Sequence, residues 1–293
     1  MIAAAAIAAA ALAVMLALVL APIRRAKRRR TALELPLPGA WAAAIDRNVP
    51  VRSRLPADVR RRHDGLINAF LAEKQFVGCN GLVVTDEVRA TIAAQACLLV
   101  LGRPGSLYDE LLSILVYPTA FWVEDEVHDD DGLVTRRRRV LSGEAWDAHR
   151  IVLSWEDVTD VATSPADGFN LVLHEFAHYL EAEGRGLPPS PPLPPSRERS
   201  TTGRVRARAA RVRAIDDWAD DLADEFERLL DALDRGEPTF LDPYAAEDEA
   251  EFFAVATEDF YERSHGLLAA RPRLYGLLRE FYGADPATWL NAS

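Results

Sequence analysis

The sequence predicts an α+β fold: a mainly helical domain around a small mixed β-sheet, preceded by one N-terminal transmembrane helix. Three observations carry the prediction. Apolar residues recur at three and four over long stretches such as Val205 to Leu233. Short β-branched and aromatic runs (Ile114–Tyr117, Ala120–Val123, Ile151–Trp155) cluster in the middle of the chain. Ile2–Ile23 carries no charge and is almost entirely Ala, Val, Leu and Ile.

That apolar run, helical at ~1.5 Å per residue, just spans a ~30 Å hydrocarbon layer. No cation precedes it, whereas Arg24, Arg25, Lys27, Arg28, Arg29 and Arg30 follow. The positive-inside rule then puts the body on the cytoplasmic side of a single-pass protein, with a soluble cytoplasmic chain as the alternative. Residues 1–30 read as the anchor with its basic flank and 31–293 as one domain.

Residues 31–56 read as a proline-punctuated connector. A helix is expected from Ala57, a strand at Leu82-Val83-Val84, and a helix capped by Thr85 or Asp86. The acidic block Glu124–Asp131 and the basic block Arg136–Arg139 are expected to face each other across a hairpin or to face water. Leu187–Ser196 is proline-rich and continues into an arginine-rich stretch, so 187–213 reads as an insertion. From Val205 to Leu233 the spacing predicts one long amphipathic helix or two joined ones.

Composition narrows the function. With 49% hydrophobic and 27% charged residues the chain can bury a large core and stay soluble once folded. The net charge of −11 arises despite the N-terminal cations, so the body repels phosphate backbones and direct nucleic-acid binding is not expected. Cys79 and Cys97 support neither a disulfide framework nor a thiolate zinc site, and reduced thiols fit the cytoplasm.

The chemistry concentrates in Leu171-Val172-Leu173-His174-Glu175-Phe176-Ala177-His178-Tyr179-Leu180. On a helix His174 and His178 share one face a turn apart, and Glu175 lies ~100° round, beside an ion held by both. The apolar flanks predict a buried helix, where unpartnered polar groups cost roughly 2–7 kcal/mol each. Either core hydrogen bonds or a metal must satisfy them. Catalytic zinc needs a third protein ligand. A third histidine six residues on is ruled out by Gly184, and His63, His128 and His149 read as surface residues. Among downstream carboxylates Glu251, joined to Phe252-Phe253-Ala254-Val255-Ala256, is the first choice by spacing; Glu258 and Glu247 stay open.

Asp242-Pro243-Tyr244-Ala245-Ala246, Glu251 to Glu258 and His174 to His178 together resemble the Mlc titration factor A family of zinc-dependent peptidases. The likeness includes Phe70 to Cys79, Ile92 to Leu99, Val116-Tyr117-Pro118, Gly143-Glu144-Ala145-Trp146 and Val152-Leu153-Ser154-Trp155. It implies one zinc ion held by His174, His178 and Glu251, Glu175 as general base, and the Tyr244 hydroxyl as oxyanion donor. It implies a fold similar to the catalytic domain of anthrax lethal factor, and an aminopeptidase-like activity on a peptide or protein substrate. In a bacterium the expected anchor would sit in the inner membrane.

The family's prototype also binds the glucose repressor Mlc, so a regulatory protein that sequesters such a repressor is the alternative. The apolar N-terminal run, Glu181 where the family commonly has Asp, and the Pro/Arg-rich insertion depart from the family pattern. Ile151–Trp155 is further expected to pair with extended substrate.

Overall fold

The computed structural model describes residues 2–103, 107–128, 134–141, 143–147, 149–160, 168–182 and 201–291. Helix α1 spans Ile2–Glu34, α2 Gly39–Asn48, α3 Val51–Arg54 and α4 Ala57–Glu73. The expected connector over 31–56 is thus mostly helical. Pro38, Pro50 and Pro56 stand immediately before α2, α3 and α4. At a helix start the missing proline N–H costs nothing, so these prolines punctuate helices instead of excluding them.

Among the described residues no helix is long and apolar enough to cross a membrane. This overturns the expected transmembrane span, and the single-pass membrane placement falls with it. Cations expected in the basic cytoplasmic flank of the anchor instead hold α1 on the domain. Arg29 Nε lies 2.7 Å from Glu73 Oε1, Arg25 Nη2 lies 2.9 Å from Glu73 Oε2, and Arg29 also pairs with Asp109. Helix α1 packs along α4 with Ala32 buried. A Cβ at Gly65 would fall 2.5 Å from Leu33 O, so only glycine allows this approach.

Strand β1 (Gln75–Gly78) leads into a turn where Asn80 and Gly81 have φ of 49° and 83°. Leu82-Val83-Val84 is not a strand. The turn carries this stretch away from the sheet, leaving Val83 75% exposed, and the pairing is taken by the residues just before it. Helix α5 (Asp86–Leu98) is capped by Thr85, whose hydroxyl accepts from the Val88 N–H. Strands β2 (Ser113–Tyr117), β3 (Phe121–His128), β4 (Val134–Leu141), β5 (Gly143–Asp147) and β6 (Arg150–Ser154) follow.

The main sheet has the order β1-β2-β6-β5, with β1, β2 and β6 parallel and β5 antiparallel to β6, which makes it mixed. Because β6 is paired on both sides, it has no edge left for a substrate strand; the edge strand on that side is β5. The acidic and basic blocks do meet in a hairpin: in the β3–β4 ladder Glu124, Asp125 and Glu126 stand opposite Arg138, Arg137 and Arg136.

After α6 (Trp155–Asp160) come α7 (Leu171–Ala182) and α8 (Thr201–Asp234), the latter one continuous helix. A 3-10 turn (Pro243–Ala246), α9 (Glu249–Glu262), α10 (Ser264–Ala270), α11 (Pro272–Tyr282) and a further 3-10 turn (Pro286–Asn291) follow among the described residues. The proline-rich stretch Leu187–Ser196, with Arg197 and Arg199, lies outside the described residues, as do the side chains of Arg204, Arg206, Arg208 and Arg211.

Helix α7 runs through the centre, packed on α5, α9, β5 and β6. Leu171, Val172, Leu173, Phe176, Ala177 and Leu180 are all buried, as their spacing predicted. The Phe176 ring meets Tyr108 edge-on at 4.8 Å and Phe70 at 5.9 Å, and Tyr108 also meets Tyr179 at 5.6 Å. Such aromatic clusters fix orientation as well as burying area, so α7 can turn or slide little.

His63, expected at the surface, is fully buried on α4. Its Nε2 lies 2.7 Å from the Ala94 carbonyl, while Nδ1 has no hydrogen-bond partner among the described residues. Cys97 is also buried and Cys79 half-buried, both as free thiols.

Candidate metal centre

Two helices deliver the site. Helix α7 begins one turn before His174, where the Asn170 side chain accepts from the Leu173 N–H at 3.1 Å and the Asn170 carbonyl from the His174 N–H at 3.0 Å. The chain enters through Gly168 at φ 87°; a Cβ there would sit 2.5 Å from Arg263 Nε. Helix α9 is capped by Asp248, whose side chain accepts from the Glu251 N–H at 2.9 Å, so Glu251 lies in the first turn facing α7.

Three side chains converge: His174, His178 and Glu251 each offer a ligand atom, all within 4.8 Å of one another. His174 Nε2 is 3.1 Å from His178 Nε2 and 3.1 Å from Glu251 Oε2, and His178 Nε2 is 3.6 Å from Glu251 Oε1. Bonds of ~2.0–2.2 Å to a tetrahedral ion place ligand atoms roughly 3.3–3.6 Å apart; the observed 3.1–3.6 Å is within a few tenths of an ångström of that, so a small outward shift of the side chains would admit a zinc ion. Glu251 Oε2 is moreover buried without a hydrogen-bond partner. An orphaned carboxylate oxygen beside two converging imidazole nitrogens is what a cation would satisfy.

The electrostatics agree. Burial pulls His174 down, but the neighbouring carboxylates of Glu251, Glu258 and Glu175 outweigh it and raise its pKa to about 10. His178 is likewise pulled down by burial and raised to about 9 through Glu181 and Glu251. Glu251 resists the upward pull of burial and is held far below the usual carboxylate range by the two histidines. The pocket favours positive charge, from protons or from a metal ion.

Of the open alternatives, Glu258 stands outside the converging set. Its Oε1 lies 2.8 Å from His174 Nδ1, on the far side of the ring from the cluster. Glu247 follows the 3-10 turn and is not among the converging residues. Glu175 is 5% exposed beside His174. Tyr244, on the 3-10 turn and 48% exposed, has its ring centroid 6.4 Å from that of His174. The Asp242 side chain accepts from the Tyr244 N–H at 2.8 Å and sets that turn. All five residues singled out in the sequence therefore lie in one region. Asn170 was missed; an Asn just before an apolar helical run is the signal that would have found it.

A family model described as glucose-regulated metallo-peptidase M90 matches residues 23–283. The chain belongs to this family. Relatives within it include an uncharacterized protein of Synechocystis, 35% identical over 260 residues that make up 88% of this chain and 89% of that protein. Mlc titration factor A of Pectobacterium atrosepticum is 34% identical over 254 residues, 86% of this chain and 88% of its own. The protein of the same name from Klebsiella pneumoniae is 35% identical over 248 residues, 84% and 86% of the two chains. Among the described residues of this M90 metallopeptidase, the cluster of His174, His178 and Glu251 could hold the metal.

Proposed function

We propose that the protein is a zinc-dependent peptidase of aminopeptidase-like action, with His174, His178 and Glu251 holding one zinc ion per chain. The observation that carries this reading is the convergence of two Nε2 atoms and the Glu251 carboxylate, whose buried Oε2 has no hydrogen-bond partner, with contacts of 3.1–3.6 Å. Zinc, when bound in such a site, lowers the pKa of a coordinated water towards ~7 and polarises a carbonyl.

The chain's own residues supply the proton traffic. Glu175, next to His174 on α7, takes a proton from the attacking water and passes it to the leaving amine. The Tyr244 hydroxyl donates to the carbonyl oxygen as negative charge develops there. The burial of His174 and Glu175 supports this, because a charge developing in a water-poor site interacts strongly with aimed donors. The test is metal analysis combined with hydrolysis of amino-acid p-nitroanilides and short peptides. One zinc per chain with turnover that a chelator abolishes is expected; a metal-free protein of undiminished activity would overturn the reading.

A second reading is supported by the relatives' name, which says that they titrate Mlc. It gives this chain a further role in binding a transcription repressor of that kind. Co-purification of the chain with the repressor of its own host would support it, and no binding at micromolar concentrations would remove it.

A further inference from the structure

We infer that Glu258 is a positioning residue: it fixes His174 in the tautomer that turns Nε2 to the metal, and it locks the two ligand-bearing helices together. The inference rests on the proposed metal site and concerns how that site is held. Glu258 is buried on α9, two turns beyond Glu251. Its two oxygens have separate tasks. Oε1 lies 2.8 Å from His174 Nδ1, and Oε2 accepts the Asn170 backbone N–H at 2.5 Å.

A carboxylate with both oxygens accepting is satisfied only if His174 presents Nδ1–H, because a buried carboxylate facing a bare Nδ1 would set two acceptors against each other. With the proton on Nδ1, the lone pair of neutral His174 is on Nε2, where His178 and Glu251 converge.

The second oxygen extends the effect beyond the ring. Asn170 caps α7 and sends its side-chain amide to Glu262 Oε1 at 2.7 Å, so α9 grips the start of α7 at two carboxylates one turn apart. Glu258 therefore fixes the register of α7 against α9 and the direction of the first ligand on α7. Among the described residues the carboxylate facing His178 Nδ1 is a looser one: Glu181 Oε2 is 3.9 Å away and both side chains are partly exposed. The two histidines are held unequally.

Glu258→Gln tests this, because an amide has one acceptor oxygen where two are used. Either the Asn170 N–H or the His174 Nδ1–H then faces an NH2 group. In the second case His174 must carry its proton on Nε2 and lose its lone pair to the metal.

The readout is zinc affinity by competition with a chromophoric chelator, with cobalt(II) absorption as a second report on the ligand set. A loss of ~10–100-fold is expected for Glu258→Gln, against no more than about fivefold for Glu181→Gln. Should the Gln variant fail to fold by circular dichroism, Glu258→Asp keeps the charge and falls one methylene short of His174. The same loss is expected there. Wild-type affinity and an unchanged cobalt spectrum in a folded Glu258 variant would overturn this inference alone. Failure of the wild type to bind zinc would overturn the metal reading and the inference with it.

Discussion

Glu251 Oε1 lies 3.6 Å from His178 Nε2, bringing the first turn of α9 against the second turn of α7. Removing that carboxylate leaves two imidazoles to hold an ion that needs three protein ligands. Glu251→Ala should retain well under one zinc per chain after dialysis, by elemental analysis. Adding zinc at a hundred times its Kd should stabilise the wild type by ~2.7 kcal/mol and the variant by almost nothing. A variant that keeps its zinc through dialysis would remove Glu251 from the ligand set.

Glu175 adjoins His174 but stands outside the converging set. Exchanging its carboxylate for an amide takes away the proposed base while leaving His174, His178 and Glu251 in place. Glu175→Gln should bind zinc as the wild type does and lose ~10²–10⁴-fold in kcat. Full turnover in a zinc-loaded variant would sink the assignment, and loss of zinc would move Glu175 to a structural role.

Much of this site was legible in the letters because helical spacing is rigid. Four residues make about one turn, so His174 and His178 had to meet, and their apolar neighbours had to point into the core. For the third proposed ligand, spacing ranked Glu251 first without excluding Glu258 or Glu247. Glu251 and Glu258 are two turns apart on one face of α9, and only the height at which α9 crosses α7 decides which faces the cluster.

The same limit appears elsewhere. Leu82-Val83-Val84 has strand composition, yet the left-handed turn at Asn80 and Gly81 hands the pairing to Gln75–Gly78. His63 stands among polar letters, Arg61, Arg62 and Asp64, yet α4 turns it to the Ala94 carbonyl on α5. The α1 cations looked like a membrane flank because nothing local reveals Glu73 and Asp109 as their partners.

Tyr244 is held at the site by the backbone of its 3-10 turn, with Asp242 accepting from its N–H. Tyr244→Phe therefore removes the hydroxyl while keeping the backbone bond to Asp242 that sets the turn. A fall in kcat of ~10²–10³-fold with KM nearly unchanged is expected, as for loss of an oxyanion donor. A rise in KM at constant kcat would instead assign the hydroxyl to substrate binding in the ground state.

His63 gives the fold a pH dependence separable from the metal. Burial pushes its pKa from the ordinary 6.5 down to about 4, with the Ala94 carbonyl opposing. The unfolded chain therefore binds this proton more readily between those two values, and stability falls as pH drops from ~6.5 towards ~4. Above that window His63 contributes no slope, and across it the loss amounts to about 3 kcal/mol. His63→Gln keeps an N–H for the Ala94 carbonyl and cannot titrate. Urea unfolding of the chelator-treated proteins should show the wild type losing more stability than the variant between pH 7 and pH 4. Parallel curves for the two proteins would show that the buried imidazole is not the acid-sensitive element.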